Sequence, residues 1–332
     1  MRSTLLIAVA AAGLVAFEGP HGRAAAEEPP APAAQPSSSN EPSGAAGRKP
    51  EVLVKAQREE LQQRISTFVT QVTDFRFGEG LARWQVPVCP LVAGLSRQWG
   101  EYILARVSDI GQAAGVPLAG THCHPNLYIL VSKQPEALLQ DLEKRHRLVV
   151  FGGASPDLID AFIATFRPVR TWYDTAQRTA EGLPMLSTSF PGVSQQAADK
   201  GIGAIVMVPV EPNQPLELTT NSWAQASHLT FNVCWAIYQV FVIVDPTRFK
   251  GVTLGQLADY VAMVGLSQIK ADGRLGDAPT ILTLFDKAPQ EASPGMTEWD
   301  QAFLKSVYAT EQKSVVQRQQ IALGMVRAVA PQ

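Results

Sequence analysis

Residues 241–269 read FVIVDPTRFKGVTLGQLADYVAMVGLSQI, and this stretch constrains the fold more tightly than any other part of the chain. Phe241, Val242, Ile243 and Val244 form an unbroken apolar, β-prone run, predicted as the end of a strand that begins near Trp235. A strand with no polar position must be covered on both faces. Asp245-Pro246 closes it, because proline cannot donate to a ladder. Gly251 falls in the following turn, Thr253 is a suitable helix N-cap, and Leu254, Leu257, Ala258, Val261, Ala262 and Val264 recur at helical spacing. Gly265 marks either the end of that helix or a close contact. A buried strand feeding an amphipathic helix predicts an α+β domain, with a mixed sheet and packed helices.

Ala258-Asp259-Tyr260-Val261-Ala262-Met263-Val264-Gly265-Leu266-Ser267-Gln268 also has the frame of the zincin metallopeptidase helix, in which two histidines four apart bind zinc and a glutamate activates water. Here alanines stand at both histidine places, Asp259 at the glutamate, and Gln268 where a third ligand would come; Gly265 is kept. A methyl group has no lone pair to offer a metal, so a zinc hydrolase is not expected. Asp259 has two readings: a relic of a catalytic acid if it faces a cleft beside Tyr260, or a solubilising charge if it faces water.

The start of the chain reads as an export signal. Arg2, an apolar stretch from Leu5 to Phe17 and Ala24-Ala25-Ala26 predict a secretory signal peptide over residues 1–26. The expected location is periplasmic or secreted. Loss of Arg2, Glu18 and Arg23 with the leader leaves 26 basic and 29 acidic residues, a net charge of −3. That balance gives no support for nucleic-acid binding or for an anionic membrane surface; the apolar run of the leader is too short for a comfortable membrane span, and no stable span is expected after signal cleavage. Residues 27–50, rich in Pro, Ala and Ser, predict a disordered linker. Residues 51–74 predict an amphipathic helix with Leu53, Val54, Leu61, Ile65 and Phe68 as its stripe, docked on the α+β domain at 75–330. That domain has room for two subdomains, at about 75–175 and 200–330.

Within it, strands are predicted in 75–92, at 127–131, 148–151, 169–173, 203–210 and 228–244, and helices at 96–114, 135–146, 155–166 and 314–329. Ser96, Ser155 and Thr253 serve as caps, and Thr297 with Asp300 makes a capping box in which aspartate replaces glutamate.

The chain has three cysteines, Cys89, Cys123 and Cys234, and an oxidising compartment predicts one pair. Sequence leaves three pairings; Cys89 with Cys123 is favoured because both sit at the edges of elements in one subregion, while Cys234 lies inside an apolar strand. His122-Cys123-His124 is the one cluster of metal-capable side chains, but neighbours in extended chain point to opposite faces, so the two histidines read better as exposed flanks of a disulfide. Phe151-Gly152-Gly153-Ala154-Ser155-Pro156 is either an anion-cradling loop or a plain helix start, and lacks the frame of a phosphate motif. No cofactor motif is found, and no G-x-S-x-G elbow.

The central helix, Thr280-Ile281-Leu282-Thr283-Leu284-Phe285 and Trp299-Asp300-x-x-Phe303-Leu304-x-x-x-Tyr308, together with Arg83-Trp84 and Asn126-Leu127-Tyr128-Ile129-Leu130-Val131, resemble exported proteobacterial proteins of unknown function with a degenerate zincin-like, metallopeptidase-related domain. The resemblance spans residues 77–308 and implies a zincin-like fold with a degenerate active-site helix. It carries over no catalytic residue, because Ala258 and Ala262 depart from the ligand pattern. The expectation is a non-catalytic binding role on a peptide, an envelope component or a partner protein. The alternatives are a hydrolase with a non-zinc constellation of Asp259, Tyr260 and His228, and a purely structural envelope protein.

Overall fold

A computed structural model describes residues 48–73, 80–179, 233–270, 273, 275–288, 290–312 and 316–330. The leader, nearly all of the linker, the strand expected at 203–210 and His228 lie outside them. Seven helices and a five-stranded sheet make the described part α+β. Helix α1 spans Arg48–Val72, followed by β1 (Arg83–Trp84), β2 (Pro90–Ala93), α2 (Arg97–Ala114), β3 (Leu127–Val131), α3 (Pro135–Phe151), α4 (Pro156–Ala164), β4 (Val169–Thr179) and β5 (Val233–Val244). The chain continues through α5 (Leu254–Leu266), a 3-10 turn at Ile281–Thr283, α6 (Glu298–Ala309) and α7 (Gln317–Val329).

The sheet is built around β5. One edge of β5 pairs in parallel with β1 along its first half and with β3 along its second; β2 pairs in parallel with β3, and β4 runs antiparallel along the opposite edge of β5. Phe241, Val242, Ile243 and Val244 are at most 4 % exposed, as a strand without a polar position requires. Val240, Val242 and Val244, with Leu127 and Ile129 of β3, face a core shared by α1, α2, α5, α6 and α7. Phe241 and Ile243 face the opposite way, onto Leu139, Phe151, Ile159 and Ile163 of α3 and α4. A register shift at Asp174/Thr175 leaves Tyr238 without an opposite residue, so the side-chain alternation slips by one and Ile237 joins the same core as Val240.

Helix α1 docks through Ile65, Phe68, Val69 and Val72, with Phe68 set edge-on against Trp299 and Phe303 of α6 at 5.4 and 6.0 Å. In α2 the buried positions are Ile103, Val107, Ile110 and Ala114, one turn apart. The expected capping box at Thr297 and Asp300 is formed, and the expected cap Thr253 turns out to be part of a second one. Thr253 accepts from Gln256 N while the Gln256 side chain accepts from Thr253 N, and Thr297 and Asp300 do the same at α6.

Three local expectations change. Residues 148–151 are the last turn of α3, not a strand: Val150 and Phe151 are buried while Leu148 and Val149 are exposed, a helical rather than alternating pattern. A four-residue apolar run carries no period of its own. His146 is no helix end but the kink inside α3, with φ −133° and ψ 25°. β4 runs on to Thr179, its polar half held by the ladder with β5 rather than by propensity.

Candidate functional site

The centre of the fold is the helix that the sequence singled out, and its polar groups are nearly all spent on the fold. Ala258 and Ala262 are fully buried in the main core. Asp259 meets neither of its two expectations. It is 3 % exposed and faces α2, where Arg106 Nε lies 2.5 Å from Oδ1 and Arg106 Nη2 lies 3.2 Å from Oδ2; the backbone N–H of Met296 donates to Oδ2 at 2.7 Å. This forked pair ties α2, α5 and the 295–296 turn together. The Asp259 hydrogen bond raises the Arg106 pKa. A side chain at Gly295 would place its Cβ 2.8 Å from Asp259 Oδ2, so the close approach needs glycine.

The carbonyls at the end of α5 are taken by aromatic side chains from three other elements. Tyr173 Oη donates to Val264 O at 2.8 Å and accepts from Ile269 N at 3.1 Å; Trp84 Nε1 donates to Gly265 O at 2.9 Å; Tyr308 Oη donates to Leu266 O at 2.6 Å. This replaces the usual glycine cap, and Ser267 follows in extended conformation. Gly265 itself is a contact point: a Cβ there would lie 3.0 Å from Leu127 Cδ1.

Tyr260, one residue beyond Asp259, points elsewhere. Its ring packs edge-on against Phe285 at 4.8 Å and lines a cleft of about 950 Å³ between β4, the end of α5 and the 3-10 turn. Burial pushes its hydroxyl up to about 12, so it stays protonated at any physiological pH. The cleft volume falls within the range of small-ligand sites. Its lining joins Phe166, Tyr260 and Phe285 to the charges of Arg167, Lys270, Asp286 and Lys287. Asp259 is not part of it, so the structure does not bring Asp259 and Tyr260 to one surface, and His228 lies outside the described residues.

Cys89 and Cys123 are joined in a disulfide, with Cα atoms 5.9 Å apart. His122, at φ 62°, and His124 flank it on the exposed side. Among the described residues no group of three or more His, Cys, Asp or Glu is placed to hold a metal ion. Cys234 is a buried thiol within β5, and Gln85 Nε2 lies 2.9 Å from its sulfur. Gly152 ends α3 at φ 54°, and Asp174 Oδ1 would lie 3.6 Å from a Cβ placed there, so Gly152 faces a carboxylate, while Gly153 borders open space.

At the carboxyl ends of β3 and β5, where the chain leaves toward opposite faces of the sheet, a charge network closes the gap. Glu136 Oε1 accepts from Arg170 Nη2 and Arg248 Nη2, both at 2.9 Å, and Arg248 Nε donates to Asp245 Oδ2 at 2.6 Å. Such a switch point is where ligands enter many open sheets; here four side chains of this chain fill it. Sequence reasoning missed both this network and the cleft, since each is assembled from segments far apart in the chain. The only hint was the Asp245-Pro246 turn.

No family model, curated protein or solved structure matches this chain. No helix among the described residues is long and apolar enough to cross a membrane.

Proposed function

We propose that this chain is an exported, non-catalytic binding protein of the periplasm or cell exterior, on a scaffold related to the zincins whose metal site has been given over to core packing. It acts by holding a peptide, an envelope component or a partner protein in the cleft beside β4. One observation carries this reading: at the places where a zincin presents its ligands and base, Ala258 and Ala262 are fully buried and both Asp259 oxygens are hydrogen-bonded. A group enclosed in this way reaches neither a metal nor a substrate. The disulfide fits export to an oxidising compartment.

The test is to titrate the purified protein with zinc by calorimetry and to incubate it with a pool of internally quenched peptides. The expected result is no stoichiometric zinc uptake and no turnover. Tight, stoichiometric zinc accompanied by cleavage overturns the reading.

A further inference from the structure

We propose that the recess between α6 and α7 is a second binding site, and that it takes a sugar acid, a ring bearing hydroxyls and one carboxylate. The recess has a volume of about 650 Å³ and, among the described residues, shares no lining with the cleft beside β4. That volume lies within the range of small-ligand sites.

Its floor holds polar groups that the fold does not use. A serine inside a helix commonly donates back to the carbonyl four residues earlier, as Ser108 of α2 does to Leu104 O at 2.8 Å. Ser306 of α6 is only 6 % exposed, yet among the described residues its hydroxyl makes no such bond and has no other partner. It is turned toward α7: a Cβ built on Gly324 would lie 2.6 Å from Ser306 Oγ and 3.1 Å from Ser306 Cβ. A side chain at 324 would close that approach, so glycine keeps the hydroxyl open to the recess. One turn away on α7, Gln320 Oε1 is also buried without a hydrogen-bond partner. Ser306, Gln320 and Gly324 all line the recess. Buried polar groups are nearly always paired, and two left open at one place call for a group that can both donate and accept. A ligand hydroxyl does both, donating to Gln320 Oε1 and accepting from Ser306 Oγ.

The rest of the lining decides what carries that hydroxyl. Lys305 of α6 and Arg327 of α7 are exposed residues that line the recess from opposite helices, where a carboxylate can accept from both. Glu311 lines it too, and is itself engaged by another group of the chain. Leu323 and Ala309 supply apolar surface for the C–H face of a ring. A simple anion would leave Gln320 Oε1 without a donor. A neutral sugar would leave the two cations unused, and a hydrocarbon acid would bury both open polar groups against carbon. A sugar acid meets all three demands.

The probe is D-glucuronate, titrated into the full chain by isothermal calorimetry. It is compared with D-glucose, which lacks the carboxylate, and with cyclohexanecarboxylate, which lacks the hydroxyls. Submillimolar binding of glucuronate is expected, with roughly tenfold weaker binding of each of the other two. Ser306→Ala and Gln320→Leu each remove a group that has no partner in the fold, so the urea midpoint holds or rises while glucuronate binding falls roughly tenfold. A merely structural role would give the reverse, a lower midpoint at unchanged affinity. Lys305→Ser with Arg327→Ser brings glucuronate down to the level of glucose.

The proposal is overturned if glucuronate gives no heat of binding, or if glucose or cyclohexanecarboxylate binds as tightly. It is equally overturned if Ser306→Ala and Gln320→Leu leave the affinity unmoved, which would mean that the recess holds only water and that glucuronate sits elsewhere. Should either of these variants fail to fold, the ligand series and the paired Lys305 and Arg327 substitutions still decide. None of these outcomes bears on the cleft beside β4.

Discussion

Replacing Asp259 by alanine tests whether the centre of α5 is structural. The side chain is 5 % exposed and takes three donors, two from Arg106 and one from the backbone of Met296. Without the carboxylate, the Met296 N–H has no partner within the fold, a deficit of about 1–3 kcal/mol. The ion pair adds less. The Arg106 side chain keeps 41 % of its surface in water and can swing out, so the lost attraction is about 0.5–1 kcal/mol. Together these predict a loss of about 1.5–4 kcal/mol for Asp259→Ala, and less for Asp259→Asn, which still accepts from Met296. In a domain of this size a loss of about 3 kcal/mol lowers Tm by about 6–12 °C. Differential scanning calorimetry of the two variants, and of Arg106→Ala alone and combined with Asp259→Ala, measures both the loss and the coupling between the partners. Peptide binding at the cleft, which Asp259 does not line, is expected to survive in the folded fraction. An Asp259→Ala protein with an unchanged Tm but no binding would refute the reasoning, because the carboxylate would then act at a site and not in the frame.

Other perturbations separate packing from chemistry. Placing histidines four apart with Ala258→His and Ala262→His overfills two fully buried positions, at about 1–3 kcal/mol each before any cost of burying the imidazoles; the double variant is expected to fail urea-unfolding tests of stability rather than gain zinc affinity in calorimetry. Tyr173→Phe leaves Val264 O and Ile269 N unpartnered and is expected to lower stability by about 2–4 kcal/mol in urea titrations, whereas Tyr260→Phe, whose hydroxyl has no hydrogen bond among the described residues, changes it by less than about 0.5 kcal/mol. Burial alone would lift the Asp245 carboxyl, but hydrogen bonds from Thr247 and Arg248 outweigh it and hold the group below the usual carboxylate range. A carboxyl depressed in the folded state adds stability above its unfolded value of about 3.9, and that stability is lost as pH falls through the folded value. Asp245→Asn should therefore melt lower than the parent at neutral pH and converge with it below about pH 4.

What could be read in the sequence was local. Thr297 and Asp300 specify a helix start within three residues and form the expected capping box, and Thr253 caps α5 where expected, with Gln256 completing a box there. The apolar runs at 127–131 and 241–244 specify buried strands because no polar residue interrupts them. The Cys89–Cys123 bridge follows from two cysteines at neighbouring element ends. What escaped was assembled over distance. Asp259 is defined by Arg106, 153 residues away, and nothing near it in the chain says whether a carboxylate at that position meets water, a cleft or a guanidinium. The end of α5 carries no glycine cap because Trp84, Tyr173 and Tyr308 arrive from β1, β4 and α6, and the pattern of α5 alone cannot foresee them. The cleft was illegible for the same reason: its walls come from the stretch that leads into β4 and from the segments on either side of the 3-10 turn.

That distribution of polar groups bears on where such a fold can still meet a ligand. A buried donor or acceptor is almost always paired, so recognition depends on groups that the fold has left over. In α5 the frame positions are methyls, the one carboxylate is triply engaged, and the last carbonyls are held by aromatic hydroxyl and indole groups. The helix is rigid and internally satisfied. Beside it, the cleft between β4, the end of α5 and the 3-10 turn brings Tyr260, Phe285, Arg167 and Asp286 to one surface. Tyr173 connects the two regions, since it lines the cleft while its hydroxyl bridges Val264 and Ile269. Binding in the cleft would therefore bear on a residue that helps hold the end of α5. If a ligand there orders β4, the amides around Val264 and Ile269 should gain hydrogen-exchange protection together with those of Thr171 and Tyr173, and protection confined to β4 would show that the helix end takes no part.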